Sequence, residues 1–278
     1  MYILFDIGGT KTRITASKDG TSFSEPVIYD TPKKFEEGVP LILKHAQEFA
    51  RGEKIEMVVG GIAGTLTRDK GTLIASPNLP GWIGNPLRGK LQDLFEAPVY
   101  IENDAAMVGL GEAVYGAGRG FDIVAYITIS TGVGGTRIVN GEIAPVANGF
   151  EPGHQIVDPD NSLCPECEGN DLESYVSGAA ITKRYGIKPY EINDPEIWDT
   201  LAKYLAYGIH NTIMFWSPHA IVLGGSMMKT IGIPVDGVKK HLRNIFRVMP
   251  DSPQIIKATL GDFGGLWGAL TQIKNIKK

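Results

Sequence analysis

A short pattern occurs twice in this chain, near the start and near the middle. Gly8-Gly9-Thr10-Lys11-Thr12-Arg13-Ile14 is answered by Gly134-Gly135-Thr136-Arg137-Ile138, and each pattern lies beside an apolar run. Apolar, β-branched runs on either side of a glycine-rich turn predict a hairpin of two strands. One hairpin in each half favours a duplicated lobe, although a repeat this short also arises by chance.

The alternation of apolar runs with longer helical patterns predicts an α/β architecture, with sheets covered by helices. The predicted strands are Tyr2–Ile7, Thr12–Ala16, Ile55–Gly60, Val99–Glu102, Ile123–Ile129, Gly135–Asn140 and Ala220–Gly224. The predicted helices are Pro32–Ala50, Asp171–Tyr185, Pro195–Trp216, Val235–Val248 and Phe263–Ile273. Because 278 residues are many for one core, we expect two domains.

Composition excludes several classes of protein. The formal charge of -4, from 27 basic and 31 acidic residues, leaves no large basic face for nucleic acid. No apolar run approaches the roughly 18 residues of a membrane span, and the first residues resemble a strand more than a signal peptide. The two cysteines are too few for a secreted disulfide framework. We therefore expect a cytoplasmic protein without nucleic-acid or membrane partners.

Three glycine-rich turns are candidates for nucleotide binding. Asp6-Ile7-Gly8-Gly9-Thr10-Lys11 and Ser130-Thr131-Gly132-Val133-Gly134-Gly135 combine glycines with hydroxyl groups, so that backbone N–H groups can converge on phosphate oxygens. At Gly224-Gly225 a strand ends with room for a flat ring such as adenine. Each turn alone is equally compatible with a plain structural turn.

Two polar clusters are candidates for binding a hydroxylated substrate. Asn103 and Asp104 follow a strand, so Asp104 is a candidate base and Asn103 can orient hydroxyls, while a helix N-cap is the structural alternative. Glu151, His154 and Glu173 supply two carboxylates and an imidazole in a loop region. Carboxylates bind vicinal hydroxyls well, but a loop histidine is more often an ordinary surface residue.

In this order, the motifs resemble the ROK family of sugar kinases and related repressors, in the actin-like ATPase superfamily. The matching motifs, over nearly the whole chain, are Asp6–Lys11, Ser76-Pro77-Asn78-Leu79-Pro80-Gly81-Trp82, Glu102–Ala105, Ser130–Gly135, Glu151-Pro152-Gly153-His154, Glu173 with Ser177-Gly178, and Gly224-Gly225. Each motif is weak by itself. Their common order makes coincidence improbable.

The resemblance implies a two-lobed actin-like (ribonuclease H-like) ATPase fold, with mixed sheets and flanking helices. A small lobe would comprise residues 1–106 and 263–278, and a large lobe residues 107–262. ATP would be bound by Asp6, Gly8, Gly9, Thr10, Lys11, Thr131, Gly132, Gly224 and Gly225. Sugar would be bound by Asn78, Asn103, Asp104, Glu151, His154 and Glu173. A homodimer is the family expectation.

The implied reaction is transfer of the γ-phosphoryl group of ATP to a hexose hydroxyl. Asp104 would act as the base, and Asp6 would hold Mg²⁺ through water. An aldohexose phosphorylated at its 6-hydroxyl, as by a glucokinase, is the first expectation. N-acetylglucosamine, N-acetylmannosamine and fructose are the alternatives within the family.

Alternatives of other classes are a sugar sensor without catalysis, a repressor and a polymerising actin-like protein. The intact Glu102-Asn103-Asp104 segment argues against the sensor. Because the first phosphate motif starts at Asp6, we expect no helix-turn-helix segment of a repressor before it.

The chain departs from the family at a structural zinc site. Relatives hold zinc with the motif histidine and three cysteines in the pattern Cys-x-Cys-Gly-x-x-Gly-Cys. When this pattern is aligned back from Glu173, its three cysteine positions are occupied by Cys164, Glu166 and Asp171. Cys167 lies one residue after the second of these positions. Zinc on His154, Cys164 and Cys167 would need a fourth ligand such as Asp171 or water. The alternative is a pair of reduced thiols.

Overall fold

A computed structural model describes residues 1–247 and 252–278. Its strands are β1 (Tyr2–Ile7), β2 (Lys11–Ser17), β3 (Val27–Asp30), β4 (Met57–Ile62), β5 (Thr65–Leu66), β6 (Leu73–Ala75), β7 (Val99–Asn103), β8 (Ile123–Ile129), β9 (Val133–Val139), β10 (Glu142–Ile143), β11 (Ala220–Gly224) and β12 (Gln254–Lys257). Its α-helices are α1 (Phe35–Ala50), α2 (Leu87–Phe95), α3 (Asp104–Val114), α4 (Leu172–Val176), α5 (Gly178–Tyr185), α6 (Pro195–Trp216), α7 (Val235–Ile245) and α8 (Gly264–Lys277). No helix in these ranges is long and apolar enough to cross a membrane.

The chain forms two compact units. The first comprises Met1–Tyr115, Gly141–Gly149 and Leu260–Lys278, and the second comprises Gly116–Asn140 and Phe150–Thr259. The predicted division into 1–106 with 263–278 and 107–262 stays a prediction about functional lobes. The boundary between the compact units lies elsewhere, because residues 107–114 continue α3, which packs against α8 in the first unit.

The first unit is built on a five-stranded sheet of order β3-β2-β1-β4-β7. Its central strand β1 pairs antiparallel with β2 and parallel with β4. Successive side chains of a strand point to opposite faces. Ile3, Phe5 and Ile7 therefore join the core under α1 and α2, while Tyr2 and Leu4 join the core under α3 and α8. Burial on both faces explains why β1 is apolar throughout except at Asp6.

Helices α3 and α8 approach closely because glycines line their contact. A Cβ atom on Gly268 would lie 1.8 Å from the carbonyl oxygen of Met107, and one on Gly111 would lie 2.4 Å from that of Gly264. A methyl group has no room at either place. The glycines thus fix the position of α3, and with it the position of its first residue.

The second unit repeats this plan with a sheet of order β10-β9-β8-β11-β12. Strand β8 pairs antiparallel with β9 and parallel with β11, as β1 does with β2 and β4. The main helix, α6, begins at Pro195 after the N-cap Asp194, whose side chain accepts a hydrogen bond from the Glu196 amide (2.8 Å). The equal strand order confirms the prediction of a duplicated hairpin unit.

The α/β class, with mixed sheets and flanking helices, is confirmed. All seven predicted strands occur, and the predicted helix Asp171–Tyr185 is two helices. Ser177 separates them, because it has an extended backbone and its hydroxyl caps α5 by accepting the Ala180 amide (3.1 Å). The predicted helix Val235–Val248 ends at Ile245, and Val248 lies outside the described residues.

The glycine contact between α3 and α8 gives a stability prediction. We expect Gly268→Ala to lower the free energy of unfolding by about 1–3 kcal/mol, because the added methyl group displaces packed backbone. Gly89→Ala in α2 is the matched control, since a Cβ there meets no atom of the described residues within 4 Å. Alanine favours helix, so the control gains about 0.5–1 kcal/mol. Urea unfolding measures both, and equal effects would contradict the close-packing argument.

Candidate active site

Asp6 lies near the end of the central strand of the first unit and is 7% exposed. Gly265 of α8 covers it so closely that a Cβ there would lie 2.9 Å from the Asp6 carboxyl carbon. Burial raises the pKa of the Asp6 carboxyl to about 7, and the negative charge of Asp104 adds to this rise. The sheet thus holds two acidic groups close enough to influence each other.

Arg13 is a site residue that the sequence interpretation missed. Its Nη1 donates to Asp6 Oδ2 at 3.4 Å, and this interaction opposes the rise in the pKa of Asp6. Within residues 1–247 and 252–278, the buried Nε of Arg13 has no hydrogen-bond partner. The signal was available, because an antiparallel hairpin that turns at residues 8–10 places Asp6 opposite Arg13.

Thr31, which follows β3, stabilises the first glycine turn by hydrogen bonds. The buried Thr31 hydroxyl donates to the Gly8 carbonyl (2.7 Å) and lies 2.9 Å from the Thr12 hydroxyl, and its amide donates to the Thr10 carbonyl (2.9 Å). Gly9 packs against the predicted sugar residue Asn78, where a Cβ would lie 2.3 Å from that of Asn78. Only glycine allows this contact.

Lys11, predicted to face phosphate, is paired elsewhere in this structure. Its Nζ donates to Asp30 Oδ1 at 2.7 Å, and both side chains are well exposed. Such a surface pair contributes little to stability, so Lys11 is free to exchange partners. Lys33 is a second cation at the turn, 3.4 Å from the Gly9 carbonyl oxygen.

Asn103 and Asp104 lie where β7 ends and α3 begins. Asn103 is the N-cap, since its Oδ1 accepts the Ala106 amide (3.1 Å) and its Nδ2 donates to the Gly64 carbonyl (3.0 Å). Asp104 is the first helical residue, and its Oδ1 accepts the Ala105 amide (2.8 Å). Burial raises the pKa of the Asp104 carboxyl, which these amide contacts partly oppose. The cap interpretation therefore describes Asn103 and leaves the Asp104 carboxylate available.

The second glycine turn, at Ser130–Gly132, is tied to the start of α5. The amides of Gly178 and Ala179 donate to the carbonyls of Ser130 (2.7 Å) and Thr131 (3.1 Å). Glu173 Oε2 accepts the Val133 amide at 2.6 Å and occupies the space that a Cβ on Gly132 would need. A predicted sugar carboxylate and a predicted phosphate turn are therefore in direct contact.

Gly224 ends β11 and Gly225 follows it, and both positions require glycine. Gly225 has a φ of 95°, and a Cβ there would lie 2.2 Å from the Ile129 carbonyl oxygen. The following amide, of Ser226, donates to the Ser130 hydroxyl (3.0 Å). The third glycine turn thus lies directly beside the second.

His154 ends a short 3₁₀ helix, Pro152–His154, next to Glu151. Its Nδ1 lies 2.9 Å from Asp171 Oδ2, and its side chain is 59% exposed. The hydrogen bond with Asp171 is the main cause that raises the pKa of His154, and the charges of Glu173 and Glu151 add to it. The structure thus groups His154 with both predicted carboxylates electrostatically.

The predicted zinc ligands do not fit a zinc site in this structure. Cys164 and Cys167 form a disulfide with each other, so neither the expected thiolates nor the alternative reduced thiols occur. Cysteines three residues apart reach this pairing because their Cα atoms are 5.3 Å apart. Disulfide sulfurs are not thiolate ligands. Among the described residues, no group of three His, Cys, Asp or Glu side chains is placed to hold a metal.

The raised pKa of Asp6 predicts how stability depends on pH. Between its ordinary pKa of 3.8 and about 7, the folded protein retains a proton that the unfolded chain has lost. Wild-type stability therefore falls as pH rises through this range. Asp6→Asn removes the effect, so we expect its stability relative to wild type to be about 2–3 kcal/mol higher at pH 8 than at pH 5.

Urea unfolding without divalent cations at both pH values measures this difference. The constant cost of losing the Arg13 contact cancels between them. Asp93→Asn, at an exposed position in α2, is the control and should show no pH-dependent difference. An Asp6→Asn variant that behaves like this control would show that Asp6 is ionised in the fold at pH 5.

Comparison with known proteins places these motifs in one family. A sequence model described as the ROK family matches residues 2–276. A glucokinase from Thermotoga maritima is 26% identical over 97% of this chain and 96% of its own length. An N-acetyl-D-glucosamine kinase from Yersinia pseudotuberculosis is 29% identical over 97% of both chains.

Structural comparison agrees. A ROK family glucokinase from Streptomyces griseus, crystallised in complex with glucose and AMPPNP, superposes with a TM-score of 0.79 at 27% identity and covers 98% of both chains. The actin-like α/β fold class expected from the sequence is thereby confirmed. Because the family model spans nearly all of the sequence and full-length relatives agree with it, this chain belongs to the ROK family.

Proposed function

We propose that this protein is an ATP-dependent hexose kinase of the glucokinase type. The observation that carries the proposal is Asp104, a half-buried carboxylate at the start of α3, whose pKa is raised by its partial removal from water. A raised pKa makes a carboxylate a better proton acceptor, and a kinase requires one beside the attacking hydroxyl. Membership of the ROK family supports sugar as the substrate class.

In the proposed reaction, Asp104 accepts the proton of the sugar hydroxyl. The sugar oxygen forms a bond to the γ-phosphorus as the bond from that phosphorus to the β,γ-bridging oxygen breaks, and ADP leaves. The transition state is loose, so Asp104 serves mainly to align the hydroxyl and takes the proton late. The Oδ1 and Nδ2 atoms of Asn103 are both hydrogen-bonded, so Asn103 fixes the backbone that carries Asp104.

The proposed nucleotide residues are those of the three glycine turns. In the first unit, Gly8, Gly9, Thr10 and Lys11 supply backbone amides, a hydroxyl and a cation for phosphate oxygens. Asp6 would hold Mg²⁺, which neutralises charge on the phosphates when bound. A buried carboxylate suits this role, because a cation replaces the proton that Asp6 otherwise holds. In the second unit, Thr131, Gly132, Gly224 and Gly225 are assigned to phosphate and adenosine.

We propose an aldohexose as substrate, phosphorylated at its 6-hydroxyl. Asn78, Asn103, Asp104, Glu151, His154 and Glu173 are the proposed sugar residues. The glucokinase relatives support this choice, and the N-acetyl-D-glucosamine kinase relative supports an N-acetylhexosamine as the second candidate. Rates for a panel of hexoses and N-acetylhexosamines, measured at low sugar concentration with ATP and Mg²⁺, distinguish them.

Two further proposals follow from the family, a cytoplasmic location and a homodimer. The side chain of Phe215, near the end of α6, is 84% exposed. A single exposed aromatic side chain is ordinary on a protein surface, so the proposal of a dimer rests on the family resemblance. Light scattering after gel filtration gives the mass in solution, and a mass of one chain would contradict the dimer.

The role of Asp104 gives the main functional prediction. We expect Asp104→Asn to lower kcat for sugar phosphorylation by about 10²–10⁴-fold, because the variant keeps the shape of the side chain but not the base. Its thermal stability should not fall, since burial disfavours the charge that is removed. Asp93→Asn is the exposed control and should retain wild-type rates. A coupled assay for ADP measures the rates.

Two outcomes would contradict the proposal. Near-normal phosphorylation by Asp104→Asn would remove the proposed base. Sugar binding by wild type in calorimetry, without sugar-dependent release of ADP, would favour the sensor instead.

A further inference from the structure

The segment of residues 155–171 separates two proposed sugar residues, His154 and Glu173. The ends of the segment are joined, since the Leu172 amide donates to the Gln155 carbonyl (3.0 Å) and the Val157 amide to the Asn170 carbonyl (2.9 Å). The resemblance to the ROK family implies a zinc ion in this region. In this chain the two cysteines bind each other and His154 contacts Asp171, so the segment must be ordered in another way.

The centre of the segment is the carboxylate of Asp158, which the sequence interpretation did not single out. It is 3% exposed. Its Oδ2 accepts the Tyr175 hydroxyl (2.6 Å) and the Leu163 amide (2.8 Å), while its Oδ1 accepts the Ser162 hydroxyl (3.2 Å). Burial raises the pKa of Asp158, but these hydrogen bonds outweigh it and the net pKa is lowered. The fold therefore stabilises a buried anion with neutral donors.

The contacts of Asp158 reach two helices. Tyr175 belongs to α4, is fully buried and follows Glu173 by two residues. Its ring packs edge-on against that of Tyr204 in α6, with centroids 4.9 Å apart. The Tyr204 hydroxyl in turn donates to the Leu163 carbonyl (2.8 Å), which returns to the segment. One carboxylate thus links the segment to the helix that carries Glu173.

We propose that Asp158 is a positioning residue for sugar binding, an anion that orders the segment where the family resemblance implies a zinc ion. The polarity is inverted, because donors converge on a buried negative charge where a zinc site directs acceptors to a positive one. Through Tyr175, Asp158 fixes α4 and the direction of Glu173. The expected effect on sugar binding rests on the proposed function. The expected effect on the structure of the segment rests only on the contacts of Asp158.

The test compares Asp158→Asn and Tyr175→Phe with Asp160→Asn. Asp160 is exposed on the same segment and serves as the matched control. Tyr175→Phe removes one hydroxyl, so it stays informative if Asp158→Asn fails to fold. Loss of a hydrogen bond to a buried charge should speed amide hydrogen exchange in residues 156–170 by about tenfold or more, while the control stays within about twofold of wild type.

Steady-state kinetics separate positioning from a general loss of structure. We expect the KM for the sugar to rise by about fivefold or more in both variants, with the KM for ATP within about twofold of wild type. We expect purified wild type to contain less than about 0.1 zinc per chain by elemental analysis, even after growth with added zinc.

Three results would overturn the inference. The first is amide hydrogen exchange in both variants at the rate of Asp160→Asn. The second is an equal rise in the KM for sugar and the KM for ATP. The third is near-stoichiometric zinc in wild type. The exchange and zinc measurements need no activity. A wild type that phosphorylates no hexose would therefore refute the proposed function, while these two measurements still decide whether Asp158 orders the segment.

Discussion

The close contact between α3 and α8 is the constraint on which the candidate catalytic residues depend. Gly111 and Gly268 let the two backbones touch, and Gly265 lets α8 cover Asp6. The contact places the start of α3, with Asp104, against the end of the central sheet. The buried Asp6 carboxylate and the half-buried Asp104 carboxylate thereby lie near each other with raised pKa values, an arrangement that costs stability and is typical of functional sites.

Close packing against glycine also occurs at the first two glycine turns. In the first unit, Asn78 fills the space that a side chain at Gly9 would occupy, and in the second, Glu173 does so at Gly132. Each turn is therefore shaped by a residue that is itself proposed to touch the substrate. At each place the side chain and the turn are in contact, so neither can move far without disturbing the other.

Much of the fold could be predicted from local patterns. β1, β8 and β11 are short apolar runs that contain β-branched or aromatic residues, a composition that favours strands. Helix α3 was not among the predicted helices, because its many alanines and glycines give no amphipathic period and its stability comes from contact with α8. Arg13 and Thr31 were missed for a related reason, since their partners become neighbours only after the strands pair.

By itself, the sequence determined the order of the motifs, and with it the family, the duplicated sheet and the identity of the candidate base. These follow from residue types and near neighbours, which pattern analysis can read. Only the tertiary structure decided that Cys164 pairs with Cys167, that Lys11 pairs with Asp30, and that Asp158 lies at the centre of its segment. Partner choice depends on burial and on the direction of side chains, and both arise only when distant segments pack together.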